Sequence, residues 1–193
     1  MTTSRQIFED AKHLLVEGKL AESIAAFTKA INSGEKSGIA FLSRGVAYLK
    51  NHETEKAILD FNEVLKTDDK NARAHYYRGI AYLTKDDYKD AITDFDKTVE
   101  LDPENGAAFF ARGTAYANIG NDELATKNIK TAIMFSEAGI YALQESIGLI
   151  RTQFDKTMSI MSGKRKPSEM TLTEDEVKKL KKWLGEGYKG GSN

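Results

Sequence analysis

YYRGIAY, residues 76–82, decides how this chain folds. LSRGVAY stands at 42–48, 34 residues earlier, and FARGTAY at 110–116, 34 residues later. With the glycine taken as the eighth place of a unit, four ungapped units follow, 4–37, 38–71, 72–105 and 106–139. Gly45, Gly79 and Gly113 hold the eighth place, and Ala11 holds it in the first unit. Tyr48, Tyr82 and Tyr116 come three residues later, with Leu14 as the first unit's counterpart. In the second half of each unit Ala57, Ala91 and Ala125 align with Ser23, and Phe27, Phe61 and Phe95 align with Ile129. Pro103 closes the third unit within LDPEN.

Both halves of the unit carry apolar residues at three- and four-residue spacing, which is the pattern of an amphipathic helix. The polar breaks EGK, NHE, KDD and IGN separate the halves, so each unit is a helix–turn–helix hairpin. A mid-helix glycine such as Gly79 costs about 1 kcal/mol relative to alanine. Its return at three equivalent places implies a bare backbone against which the second helix of the hairpin lies close. Ala40, Ala74 and Ala108, with Ala47, Ala81 and Ala115, form another small-residue face, suited to seat the helix of the preceding unit.

Composition agrees. The chain has 193 residues, 40% hydrophobic and 30% charged, with two prolines, and no alternating Val/Ile/Thr runs mark strands. That describes a soluble, all-α protein. Its net charge of −1 gives no cationic excess for general nucleic-acid binding. The absence of cysteine removes disulfides, thiolate metal sites and Cys nucleophiles. MTTSRQIFEDAKHLL lacks the basic start and apolar run of a secretory signal, and no run approaches the ~18 apolar residues of a membrane span. A cytoplasmic location is expected.

The period, the Gly, Tyr, Ala and aromatic places and the LDP ending resemble the tetratricopeptide repeat, a 34-residue pattern. The resemblance covers residues 4–139 and implies hairpins stacked into a right-handed α-superhelix, an α-solenoid with a concave groove lined by the first helices. The first unit departs most, with neither Gly nor Tyr and with Asp10 where the others have arginine. Such a stack needs a closing helix. Residues 140–161 supply one, with Leu143, Ile147, Ile150, Phe154 and Met158 on one stripe. A polar linker follows at 162–172. A basic amphipathic helix is expected at 173–185, with Val177, Leu180, Trp183 and Leu184 on its apolar face, and then a disordered tail at 186–193. Three docking sites suit that helix: the molecule's own groove, another subunit, or an anionic membrane, although three turns make a weak anchor.

Arg44, Arg78 and Arg112 precede the glycines. Asp60 and Asp94 lie sixteen residues after Arg44 and Arg78, on the facing helix, and the first unit lacks both members of the pair. The two places therefore read as a structural brace inside the hairpin rather than as an anion site.

The second, fifth, ninth and twelfth places of the first helices lie opposite the hairpin core at 100° per residue and read as the groove lining. The fifth holds Phe8, Leu42, Tyr76 and Phe110; the ninth Lys12, Val46, Ile80 and Thr114; the twelfth Leu15, Leu49, Leu83 and Ala117. Arg5, Ser43, Arg73, Tyr77 and Asn118 stand beside them. An apolar concave surface marks a binding site for a protein or peptide. Chaperone-docking members of the family hold a C-terminal carboxylate with Lys and Asn at the fifth and ninth places of one repeat. They add Asn at the sixth place of the next, and basic residues at the second and sixth of the one after. Here those places read Phe8, Lys12, Ser43, Arg73 and Tyr77, agreeing once in five; one repeat further on they read Leu42, Val46, Tyr77, Ala107 and Ala111. Binding to the acidic tails of heat-shock chaperones is not expected.

Nothing points to catalysis. His13, His52 and His75 fall in different units without metal-ligand spacing, and Ser33-Gly-Glu-Lys36 has no companion motif. No metal, cofactor or enzyme activity is expected. The reading is a non-enzymatic scaffold that holds an apolar or amphipathic peptide in its groove, open to self-occlusion by its own tail helix. The alternatives are a self-associating, homo-oligomeric module and a membrane-surface adaptor.

Overall fold

The computed structural model describes residues 3–35 and 37–135. The expected closing helix at 140–161, the linker, the helix at 173–185 with Val177, Leu180, Trp183 and Leu184, and the tail at 186–193 lie outside the described residues.

The described residues form eight α-helices and no strand: α1 (Ser4–Val16), α2 (Leu20–Asn32), α3 (Gly38–Lys50), α4 (Thr54–Thr67), α5 (Ala72–Thr84), α6 (Tyr88–Leu101), α7 (Gly106–Asn118) and α8 (Asp122–Phe135). Each odd helix starts at a cap supplied by the last place of the preceding 34. The side chains of Thr3, Ser37, Asn71 and Asn105 accept from the backbone N–H of Gln6, Ala40, Ala74 and Ala108. Each such bond satisfies one of the orphaned donors of a first turn, worth about 1 kcal/mol.

The turn inside each hairpin is just as periodic. Its fifteenth place takes a left-handed backbone in all four units: Gly18 at φ +76°, His52 at +60°, Asp86 at +61° and Gly120 at +78°. Only glycine takes that conformation without a Cβ penalty of about 1–2 kcal/mol. We therefore expect His52→Gly to raise stability by about 0.5–1 kcal/mol. The urea midpoint reads it, and a fall in midpoint would mean that the His52 side chain contributes more than its backbone strain costs.

Consecutive helices pack in order, strongly within a hairpin and less between hairpins. The odd helices also touch the next odd helix, α1 with α3, α3 with α5 and α5 with α7. No even helix meets the next even helix to the same extent, so the odd helices line the inner curve. The core runs the length of the stack. Phe27, Phe61, Phe95 and Ile129 of the even helices are buried against the eighth-place Ala11, Gly45, Gly79 and Gly113. Ala40, Ala47, Ala74, Ala81, Ala108 and Ala115 have no exposure, so neighbouring hairpins meet through alanine. No described helix is long and apolar enough to cross a membrane.

Candidate functional site

The arginine row is a ladder. Arg44 donates from Nε and Nη2 to the two carboxylate oxygens of Asp60 at 2.8 and 2.7 Å. Arg78 makes the same fork to Asp94 at 2.8 and 2.7 Å. Planar, two-bonded pairs of this kind are strong and directional. Asp60's hydrogen bonds hold the Arg44 guanidinium above its ordinary pKa despite burial, and Asp94 does the same for Arg78. In the fourth unit Arg112 Nε donates to Asn128 Oδ1 at 2.7 Å, and Asn128 donates in turn to the Leu124 carbonyl.

The sequence did not show the ladder's second arm. Each Nη1 reaches back to the twenty-fifth place of the preceding unit: Arg44 to Thr28 at 3.2 Å, Arg78 to Asn62 at 2.6 Å, Arg112 to Asp96 at 2.6 Å. One guanidinium thus ties its own hairpin shut and joins it to the hairpin before. Asp94 has a further neighbour, since His75 sets Nδ1 2.9 Å from Asp94 and Nε2 3.0 Å from the Asp69 carbonyl. These groups are all engaged with one another, which makes the row a structural spine.

The places expected to line a groove on the odd helices differ in exposure. At about 100° per residue, the second, sixth, ninth and thirteenth places fall within about 40–60° of one another. The fifth and twelfth lie about 60–80° to one side of the second, turned toward the neighbouring hairpin. Phe8, Leu42 and Phe110 are accordingly buried, with 7%, 7% and 2% of their surface exposed. They are packing residues. Tyr76 is half-buried, edge-on to Tyr77 at 5.3 Å and tilted against Phe95 at 6.2 Å, and burial pushes its phenol upward. Leu49, Leu83 and Ala117 of the twelfth place are buried as well. At the ninth place Ile80 joins the main apolar cluster with no exposure. Thr114 is also fully buried, its hydroxyl turned back onto the Phe110 carbonyl at 3.1 Å.

The remaining seam is open in the first three units. Arg5, Lys12 and Arg73 are exposed, and Ser43, Val46 and Tyr77 are half-buried. Lys12 lies 5.5 Å above the Phe8 ring, and Tyr77 stacks on Phe61 at 6.0 Å. Ile39, 65% exposed, stands at the second place of that expected face, whereas two thirteenth-place seam residues lay outside it: Val16, 87% exposed, and the half-buried Lys50. The thirteenth place sits about 20° from the second, so the same phase, carried one turn further, reaches both. Apolar side chains this open on the inside of a curve have no packing role in the hairpin. Among the described residues no group of His, Asp and Glu is placed to hold a metal ion.

Comparison with known proteins agrees with this geometry. The family model for the tetratricopeptide repeat matches residues 8–72, 42–105 and 76–127. A crystal structure of MamA is similar at 22% identity and a TM-score of 0.66, covering 72% of this chain and 82% of that one. YrrB, described as a TPR protein with an unusual peptide-binding site, is similar at 21% identity and a TM-score of 0.65, covering 74% of each chain. The first TPR of Spaghetti (RPAP3), bound to the HSP90 peptide SRMEEVD, is similar at 20% identity and a TM-score of 0.59, covering 61% and 94%. At such identities the likeness shows the fold. No curated protein matches the chain.

Proposed function

Since the chain belongs to the tetratricopeptide-repeat family, we propose that it is a protein-interaction scaffold whose inner seam, over the first three units, holds an apolar or amphipathic segment of a protein partner. One observation carries this reading: Val16 and Ile39 are the most exposed large apolar residues of the odd helices, and both lie on the inner seam. Val46 and Tyr77 extend the same strip. Covering such a strip gains about 25 cal/mol for each Å² of apolar surface removed from water. Lys12 and Arg73 flank the strip and set the direction of the bound segment. The ladder arginines are occupied within the stack, so they serve to keep the seam's spacing rather than to meet a partner.

Selection from a displayed random-peptide library tests the proposal. Peptides should be enriched on the wild type and lost on Ile39→Asp/Val46→Asp, while Leu59→Asp, on the outer helix α4, leaves binding unchanged. Leu59 is 64% exposed and serves as the control for apolar surface in general. Equal loss on both variants, or no enrichment at all, would remove the seam as a binding site.

A further inference from the structure

We propose that the stack opens at one joint: the first hairpin, α1–α2, unfolds as a unit while units 2–4 stay folded. In a stack of repeats, stability sums each hairpin's own terms and those between neighbours, so the end hairpin with the weakest joint opens first. Four observations put that joint between units 1 and 2. The apolar core is divided there. Phe8, Phe27 and Ile31 belong to a cluster that ends at Ala40 and Ala47 of α3, and a second cluster runs through units 2–4. Among the described residues, the half-buried Phe41 alone packs against both. The ladder's rung is also weakest there, since Arg44 meets the Thr28 hydroxyl at 3.2 Å. The later rungs run to the Asn62 amide oxygen and the Asp96 carboxylate, both at 2.6 Å. Unit 1 has no brace of its own. Asp10 and Ala26 stand at the places of Arg44 and Asp60, and Asp10 instead accepts from Gln6 Nε2 at 3.0 Å. Finally, Lys85 joins unit 3 to Glu55 of unit 2 at 3.3 Å, and Arg112 joins unit 4 to Asp96 of unit 3. Among the described residues no ion pair joins unit 2 to unit 1.

A lone hairpin cannot bury its apolar face, so α1 and α2 lose their helices together when they leave the stack. Units 2–4 are the three repeats that such a fold needs to stand. The chain therefore alternates between a four-unit and a three-unit stack. The consequence for binding rests on the seam reading above. Arg5, Lys12 and Val16 lie on α1, so that end of the seam exists in the closed form alone. A partner that covers Val16 fastens the hairpin, whereas one confined to Ile39, Val46 and Tyr77 leaves it free to open.

Native-state hydrogen exchange of the full chain, followed at several low urea concentrations, tests the opening. Amides in the middle of α1 and of α2 should share one protection factor, about tenfold or more below that of α4, α5 and α6. Thr28→Asp gives Arg44 the kind of partner that Arg112 has in Asp96. It should raise protection in α1 and α2 about two- to fivefold, the worth of an exposed pair, and leave α4, α5 and α6 unchanged. Asn62→Asp makes the same change one rung further on and should leave α1 and α2 as they were. Protection in α1 and α2 equal to that of α4 would overturn the proposal. So would exchange confined to α1 while α2 keeps the protection of α4, which is fraying of one helix and not release of a hairpin. A null effect of Thr28→Asp on α1 and α2, or an equal effect of Asn62→Asp, would overturn it too. No partner is present in this measurement, so its failure removes the opening and leaves the seam to the peptide-library test.

Discussion

Asp94→Ala lowers stability by about 3 kcal/mol, more than any other single change on the ladder. Asp94 is 2% exposed and takes both arms of the Arg78 fork, with His75 Nδ1 2.9 Å away. Removing it leaves a guanidinium that is three-quarters buried facing a methyl group. Loss of one partner from a buried pair costs about 3–5 kcal/mol, and the partial exposure of Arg78 places this case at the lower end. Asp96→Ala is the comparison. Asp96 meets only Arg112 Nη1, its side chain is 54% exposed, and Arg112 keeps Asn128 when it is gone. An exposed pair of that sort is worth about 0–1 kcal/mol. Asp94→Asn falls between the two, because the fourth unit already holds its arginine with an asparagine. Denaturant melts should give the order Asp94→Ala, Asp94→Asn, Asp96→Ala from most to least damaging. Equal losses for the two alanine variants would mean that the brace does not hold the hairpin.

The fold was legible because a stacked hairpin imposes its geometry at the same places every time. Gly45, Gly79 and Gly113 mark where a second helix passes, and EGK, NHE, KDD and IGN mark where the chain turns back. The first arm of the ladder was visible for the same reason, since Arg44 and Arg78 each have an aspartate sixteen residues on and the first unit lacks both. The second arm was hidden, because Thr28, Asn62 and Asp96 share no residue type and only their shared capacity to accept a hydrogen bond unites them. The seam was half legible. Lys12, Ser43, Val46, Arg73 and Tyr77 lie on it, whereas the aromatic fifth place drew the reading toward Phe8 and Phe110, which are turned into the stack. The arc of the second, fifth, ninth and twelfth places is centred about 50° from the open one, enough to carry the fifth and twelfth into the stack. Burial of Ile80 and Thr114 had no sequence signal at all, for both occupy seam places by phase.

The same close packing predicts that a change favourable to an isolated helix is harmful here. Gly45→Ala improves helix propensity by about 1 kcal/mol, and in an open helix that gain would appear as added stability. A Cβ at Gly45, however, lies 2.5 Å from Cε1 and 2.9 Å from Cδ1 of Phe61. That ring has no exposed surface and stacks on Tyr77 at 6.0 Å, so it has nowhere to retreat. Overpacking of this kind costs about 1–3 kcal/mol, and the result is a net loss of about 1–2 kcal/mol. The first unit bounds the cost from above, because it holds Ala11 in the same hairpin as the fully buried Phe27. That hairpin has a described neighbour on one side, whereas the second unit is gripped from both sides by α2 and α5. Gly38→Ala supplies the control within the same helix, since its Cβ would meet Val64 Cγ1 at 3.8 Å, an ordinary contact. It should be neutral or stabilising by up to about 1 kcal/mol. Phe61→Leu alone loses packing, but combined with Gly45→Ala it should cost less than the sum of the two, because the shorter side chain vacates the space that the new methyl enters. Additive losses, or a gain in stability from Gly45→Ala alone, would mean that the eighth-place glycines are not spacers for the facing ring, and the reason for their return every 34 residues would have to be sought elsewhere.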